Sequence, residues 1–162
     1  MASVDYFLKL DGIEGESGDH KHKHEIELAS FSWGATQVGA HAAGGGGGAG
    51  KVAMQDFHFT MTQNKASPKL MLACASGEHI KKAVLTCRKA GKDQQEYLRI
   101  IMQDVIVSSF QVVNHIGVSV VPMESISLNF GKIVYDYKEQ KADGSLGASH
   151  KTGWDKQASQ KL

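Results

Sequence analysis

VAMQDFHFTMT, Val52 to Thr62, decides the fold. Phe57, Phe59 and Met61 alternate with Asp56, His58, Thr60 and Thr62, and a period of two puts the apolar set on one face of a β-strand and the polar set on the other. The pattern repeats outward in both directions. Upstream, Val4, Tyr6, Leu8 and Leu10 share one side of a strand, the polar stretch DGIEGESGDHKHKH reads as a long loop, and Glu25 to Val38 reads as a second strand. There Ile26 and Leu28 hold one parity and Phe31 and Trp33 the other, as a bulge or sharp bend produces. Downstream, Ile80 to Lys89, a long bent run from Gln95 to Val113, and Glu124 to Tyr137 complete the strands. In the last of these Ile126, Leu128 and Phe130 give way to Ile133, Tyr135 and Tyr137, with Gly131 at the switch of parity to supply the bend.

One segment breaks the pattern. From about Ser67 to Ala75 the spacing predicts a helix, with Ser67 as N-cap, Pro68 at the first helical position and Gly77 at the far end. Leu70, Met71, Cys74 and Ala75 form its expected buried stripe. After Gln140 the chain is polar and contains Gly and Ser, with Trp154 as its aromatic, and reads as a tail. Several alternating strands, turn residues between them and one short helix predict a mainly β fold, a sandwich or a small barrel. At 162 residues a single domain over 1–162 is expected.

Composition narrows the function classes. Lys plus Arg total 18 and Asp plus Glu 17, so the net charge is +1 and no bulk basic footprint exists to grip nucleic acid or an anionic membrane. No secretory leader and no run of about 18 apolar residues is present, so membrane insertion is not expected. Cys74 and Cys87 are too few for a disulfide scaffold and read as buried thiols, with a bridge between them left open.

The segments that might carry chemistry do not assemble an enzyme. AAGGGGGAGK, Ala42 to Lys51, has the phosphate-loop spacing Gly45, four residues, Gly50, Lys51. Position 52 is Val rather than a magnesium-ligating hydroxyl, and a strand follows where a helix N-terminus is needed. What remains is a loop without side chains, able to approach another backbone closely. His20, His22 and His24 alternate with Lys21 and Lys23. Three histidines at this spacing suit zinc, but the interleaved lysines favour a solvated loop. Asp56, Asp104, Glu124 and Asp136 stand singly within strands, on a face meeting solvent or a polar partner. Ser32 points away from Phe31 and Trp33, toward solvent or a lumen. No catalytic residue, metal site or cofactor is expected. A monomeric β-sandwich protein-binding module is the competing reading.

Taken together, the segments resemble the haemolysin-coregulated protein (Hcp) family of type VI secretion systems. The resemblance lies in DGIEGES at 11–17, FSWG at 31–34, GGGGGAGKVAMQDFHFT at 44–60, SPKLMLACASGEHI at 67–80, LTCRKAG at 85–91, and QKADG at 140–144 with Gly153 and Trp154. It implies a compact β-barrel of two sheets with one short flanking α-helix at about residues 67–76. It implies a structural subunit of hexameric rings that stack into an inner tube, and no enzyme. A contractile sheath on its baseplate drives that tube out of the cell under a spike (VgrG-type) protein, and secreted effectors ride or are chaperoned in the lumen. The protein then resides in the bacterial cytoplasm before firing and is secreted without a signal peptide. Carried over by position, Gly44, Gly45, Gly46, Gly47, Gly48, Ala49 and Gly50 with Lys51 match the family's extended loop, which reaches neighbouring subunits and the adjacent ring. Ser32 falls on the strand expected to line the channel. The HKHKH run and residues 114–121 match no family segment.

Overall fold

Strand pairing follows the alternation. The computed structural model describes residues 4–39, 49–89, 94–114 and 121–162. In chain order the elements are β1 (Val4–Leu10), β2 (Ile26–Glu27), β3 (Ser30–Ser32), β4 (Ala35–Gly39), β5 (Ala49–Met54), β6 (Phe57–Thr62), α1 (Ser67–Ser76), β7 (Ile80–Lys89), β8 (Glu96–Val113), β9 (Met123–Gln140), β10 (Leu146–Asp155) and β11 (Gln160–Lys161). The large sheet runs β11-β10-β9-β8-β7-β1-β2, with β6 joining β9 to β3, and β4 and β5 form a separate hairpin. The fold is the expected one: a β-barrel with one short helix.

The parity switch expected near residue 29 is a change of partner rather than a bulge. Ile26 and Glu27 pair with β1. Leu28 N–H then donates to the Tyr6 carbonyl at 2.9 Å, Ala29 N–H to the Thr60 carbonyl at 2.9 Å, and Ser30 to Ser32 pair with β6. One short segment thus bridges the two edges of the wall and closes it. The expected single strand Glu25–Val38 is three strands for this reason. Val52–Thr62 likewise divides at Gln55–Asp56, because Gln55 N–H is tied to Gly34 carbonyl (2.9 Å) while Asp56 accepts from Ser108 Oγ (2.6 Å) and Asn129 Nδ2 (2.8 Å).

β8 and β9 bend together. Gln103 pairs with Lys132 and Val105 with Phe130 without loss of register, yet the buried side shifts from Met102 to Val105 on one strand and from Phe130 to Ile133 on the other. Asp104 sits at φ +54° beside Gly131, where a Cβ would meet Asp104 Cβ at 3.3 Å. Gly131 thus gives Asp104 room that a side chain would crowd. The supposed tail is also strand. Gly144 N–H donates to Lys141 carbonyl (2.9 Å) and Lys141 N–H to Ser145 carbonyl (2.7 Å), turning the chain so that β10 returns along the second half of β9.

Inside the barrel Leu8, Phe57, Phe59, Met61, Leu85, Ile100, Met102, Ile126 and Leu128 are fully buried, each worth about 1.5–3 kcal/mol of transfer free energy. The helix starts one residue early. Its N-cap is Ala66, without a side-chain cap bond, and Ser67 Oγ instead accepts from Asn64 N–H at 3.0 Å. Gly77 ends it at φ +69° as predicted. Its buried residues are Ser67, Leu70 and Ala73. Of the expected stripe, Met71 and Ala75 are exposed and Cys74 is half-buried.

The loop 11–25 keeps His20, Lys21, Lys23 and His24 in solvent as expected, but Ile13, Ser17 and His22 fold down onto the wall. Phe7, of opposite parity to Leu8, is buried beneath the loop. His22 stacks on the Phe7 ring at 4.4 Å and the Arg88 guanidinium lies 4.8 Å from its centroid. His22 Nδ1 meets Glu25 Oε2 at 2.9 Å and Nε2 meets Glu96 Oε1 at 2.8 Å. Arg88 donates to Asp19 and Asp5, and these bonds hold the Asp19 carboxyl well below the ordinary carboxylate range. His22 therefore belongs to a clasp, while His20 and His24 are exposed.

Candidate functional site

On the outside of the wall, β3, β6 and the first half of β9 present hydroxyls. Ser30 pairs with Thr60 and Thr60 with Ser125. The next rung of the same face runs Ser32, His58, Ser127. Alternation puts Phe31, Phe59 and Ile126 on the opposite face, and their burial fixes which side chains look out. Ser30 Oγ and Thr60 Oγ1 are 2.6 Å apart. His58 Nδ1 lies 3.1 Å from Ser127 Oγ and Nε2 3.0 Å from Ser125 Oγ. A serine activated for nucleophilic attack needs a carboxylate on the far ring nitrogen; here that nitrogen meets a second hydroxyl. The face is built to exchange neutral hydrogen bonds.

A second site lies where the β4–β5 hairpin leans on β9 and β10. A cleft of about 520 Å³ is walled by Trp33, Val52, Met54, Ile133, Tyr135 and Trp154, with Lys51 at its mouth. Trp33 and Tyr135 rings are 6.3 Å apart. The indole N–H groups of Trp33 and Trp154 are buried and have no acceptor among the described residues. Gly153 allows the close fit, since a Cβ there would meet Ile133 carbonyl oxygen at 2.9 Å.

Placed on this frame, the residues singled out by sequence separate. Ser32 is exposed on the hydroxyl face. Ala49, Gly50 and Lys51 open strand β5 rather than ending a loop, with Ala49 paired to Gly39; Gly44, Gly45, Gly46, Gly47 and Gly48 lie outside the described residues. The carboxylates also divide. Asp56 is tied to Ser108 and Asn129, and Asp104 faces His79 at 2.8 Å. Asp136 accepts from Ser149, but Glu124 is buried with neither oxygen partnered, against the expectation of an outward face. Both cysteines are free, and burial pushes the Cys87 thiol up to about 12. Among the described residues no cluster of His, Cys, Asp or Glu is placed to hold a metal, and no helix is long and apolar enough to cross a membrane. Sequence reasoning missed the His58 bracket and the cleft. Both depend on which strands become neighbours, although the alternation of His58 with Phe57 and Phe59 already marked it as outward.

Comparison with known proteins gives this frame a family. The model of "Type VI secretion system effector, Hcp" matches residues 7–137. The chain belongs to the Hcp family. The protein hcp1 of Pseudomonas aeruginosa is 45% identical to this Hcp over 154 residues, 94% of each chain. A solved type six secretion system protein superposes with a TM-score of 0.92 at 30% identity, over 99% of this chain and 100% of its own. Hcp1 from Salmonella typhimurium does so at 0.83 and 36%, covering both chains completely. This is thus a type VI secretion system Hcp protein with the β-barrel common to its relatives.

Proposed function

We propose that this Hcp forms hexameric rings that stack into the inner tube of a type VI secretion system. The tube leaves the cytoplasm with the spike when the sheath contracts on its baseplate, and it carries or chaperones effector proteins in the lumen. The observation that carries this reading is the hydroxyl face of β3, β6 and β9. Ser30 and Ser32 are exposed while His58, Thr60, Ser125 and Ser127 are half-buried; the face is rigidly mounted on paired strands, and charged only where Asp56 is already tied down. A wall that must hold a passenger and later release it needs many weak neutral contacts rather than a few strong ones, since a hydrogen bond exchanged with water contributes only about 0.5–1.5 kcal/mol. Ser32 sits at the β3 edge of that face, beside His58, and the segment Gly44 to Lys51 supplies the contact to neighbouring subunits and the next ring. Docking a glycine-rich segment orders it at an entropic cost, which keeps ring-on-ring contacts modest enough for a tube to come apart.

Negative-stain images of the purified protein test the assembly directly: rings and short stacks are expected, and lone particles at high concentration would remove the reading. Replacing Gly46 and Gly48 together with bulky residues should abolish stacking in the same images while the barrel folds as before. Ser32→Leu should leave rings intact and the barrel within about 0.5 kcal/mol of the parent, yet lower the effector recovered with the ring. Equal effector recovery from both versions would detach Ser32 from cargo.

A further inference from the structure

Helix α1 has two apolar sides, and the barrel covers one. Ser67, Leu70 and Ala73 face inward. Pro68, Met71, Leu72 and Ala75 are exposed and follow the i, i+3, i+4, i+7 spacing that forms one continuous stripe on a helix. Met71 is 52% and Leu72 60% exposed. A helix apolar on both sides is the pattern of one enclosed on both sides. Its C-terminal end adds acceptors. Gly77 and Glu78 N–H groups both donate to the Ala73 carbonyl, which leaves later carbonyls of the last turn without backbone donors and the helix end partly negative. Glu78, exposed just beyond, adds a full negative charge.

The Trp33–Trp154 cleft has the opposite of each property. Its walls are apolar, and the two unpartnered indole N–H groups are donors awaiting acceptors. Lys51 at its mouth has no ion-pair partner among the described residues. Its volume of about 520 Å³ suits a few large side chains. No α1 residue lines this cleft, so the two surfaces are separate patches of one molecule.

We propose that the exposed α1 stripe of one copy seats in the Trp33–Trp154 cleft of the next copy, as a helix in an apolar groove anchored by Met71 and Leu72. The occupant is a second copy because apolar surface, hydrogen-bonding sense and charge all match within this one chain. Two different complementary patches make a head-to-tail contact, and repeating it about an axis closes a ring. The inference rests on the ring reading above and names its contact.

The test uses the full chain and light scattering across a dilution series. Leu72 is exposed, so Leu72→Asp should keep the parent's thermal unfolding profile at dilutions where both are monomeric. Its half-assembly concentration should rise at least about thirtyfold, as loss of a central interface anchor does. Tyr135→Lys, on the cleft wall, should do the same from the other side, and combining the two should recover assembly through an Asp–Lys pair. Wild-type rings that persist unchanged in Leu72→Asp would overturn this docking, assign the stripe to a different protein and leave the ring reading standing. Single variants that dissociate but do not recover when combined would also overturn direct contact. A wild type that never assembles removes the ring reading together with this one.

Discussion

The two halves of β9 belong to one strand and live in different environments. Before Gly131, Ile126, Leu128 and Phe130 point into the barrel while Ser125, Ser127 and Asn129 point out, each bonded to a neighbour from β6 or its flanking loop. After it, Ile133 is buried but Tyr135 and Tyr137, on the same parity, are 40% and 43% exposed. Their partner on the free side changes from β6 to β10. In the first half both faces are covered within the chain, Glu124 alone standing buried without a partner among the described residues. In the second the apolar face outruns the core that should cover it, and exposed contiguous apolar surface of this kind marks a place for another surface to dock.

The comparison breaks most sharply under truncation. Leu128→Ala, in the first half, should cost about 2–5 kcal/mol by denaturant unfolding, because the cavity cannot collapse among fully packed neighbours. Tyr135→Ala, measured at dilutions where the protein is monomeric, should cost under about 1 kcal/mol. Equal losses would mean that the second half is core after all. Next comes the clasp that neither half of β9 touches. Asp19→Asn should lower stability by about 1.5–3 kcal/mol at neutral pH, the worth of a hydrogen bond to a charged group. Because the folded-state Asp19 pKa is depressed by Arg88, its contribution is complete above the unfolded carboxylate pKa and fades as pH falls below about 4 toward the folded value. The parent and Asp19→Asn should therefore converge in acid unfolding curves. Opposite in sign is Glu124→Met. It removes an unpartnered buried carboxyl beside Met61, so a gain of about 1–3 kcal/mol is expected. A loss would show that Glu124 has a partner in solution.

Alternation carried most of the fold. Phe57, Phe59 and Met61 are buried as their spacing requires, and the switch at Gly131 is a real bend. What periodicity could not supply was the identity of each strand's neighbour. The step from Leu28 to Phe31 looked like a bulge because a change of partner and an inserted residue leave the same mark on parity. The hairpin at Asp143–Gly144 looked like a tail because β10 is so polar, with exposed residues from Ala148 to Thr152, that no hydrophobic period announced it. The helix stripe failed for a related reason. Leu70, Met71, Leu72, Ala73 and Cys74 are consecutive and apolar, so spacing alone could not choose the inward side. The clasp around Phe7 was invisible because the loop residues Asp19, His22 and Glu25 meet Phe7, Arg88 and Glu96 from strands far away in the chain. Of the candidate site, Ser32 was legible as outward; the cleft and the His58 bracket arose only from assembly of the barrel.

The cylinder is closed along one line by very little material. Between β1 and β6 the join consists of β2 and β3, five residues in all, stitched on either side by the Leu28 and Ala29 amides. The junctions β1–β7, β7–β8, β8–β9 and β6–β9 around the rest of the wall are all longer runs of paired strand. This is the zip of the molecule: pulled or heated, the wall should part there first, baring two raw β-edges to whatever strand lies nearby.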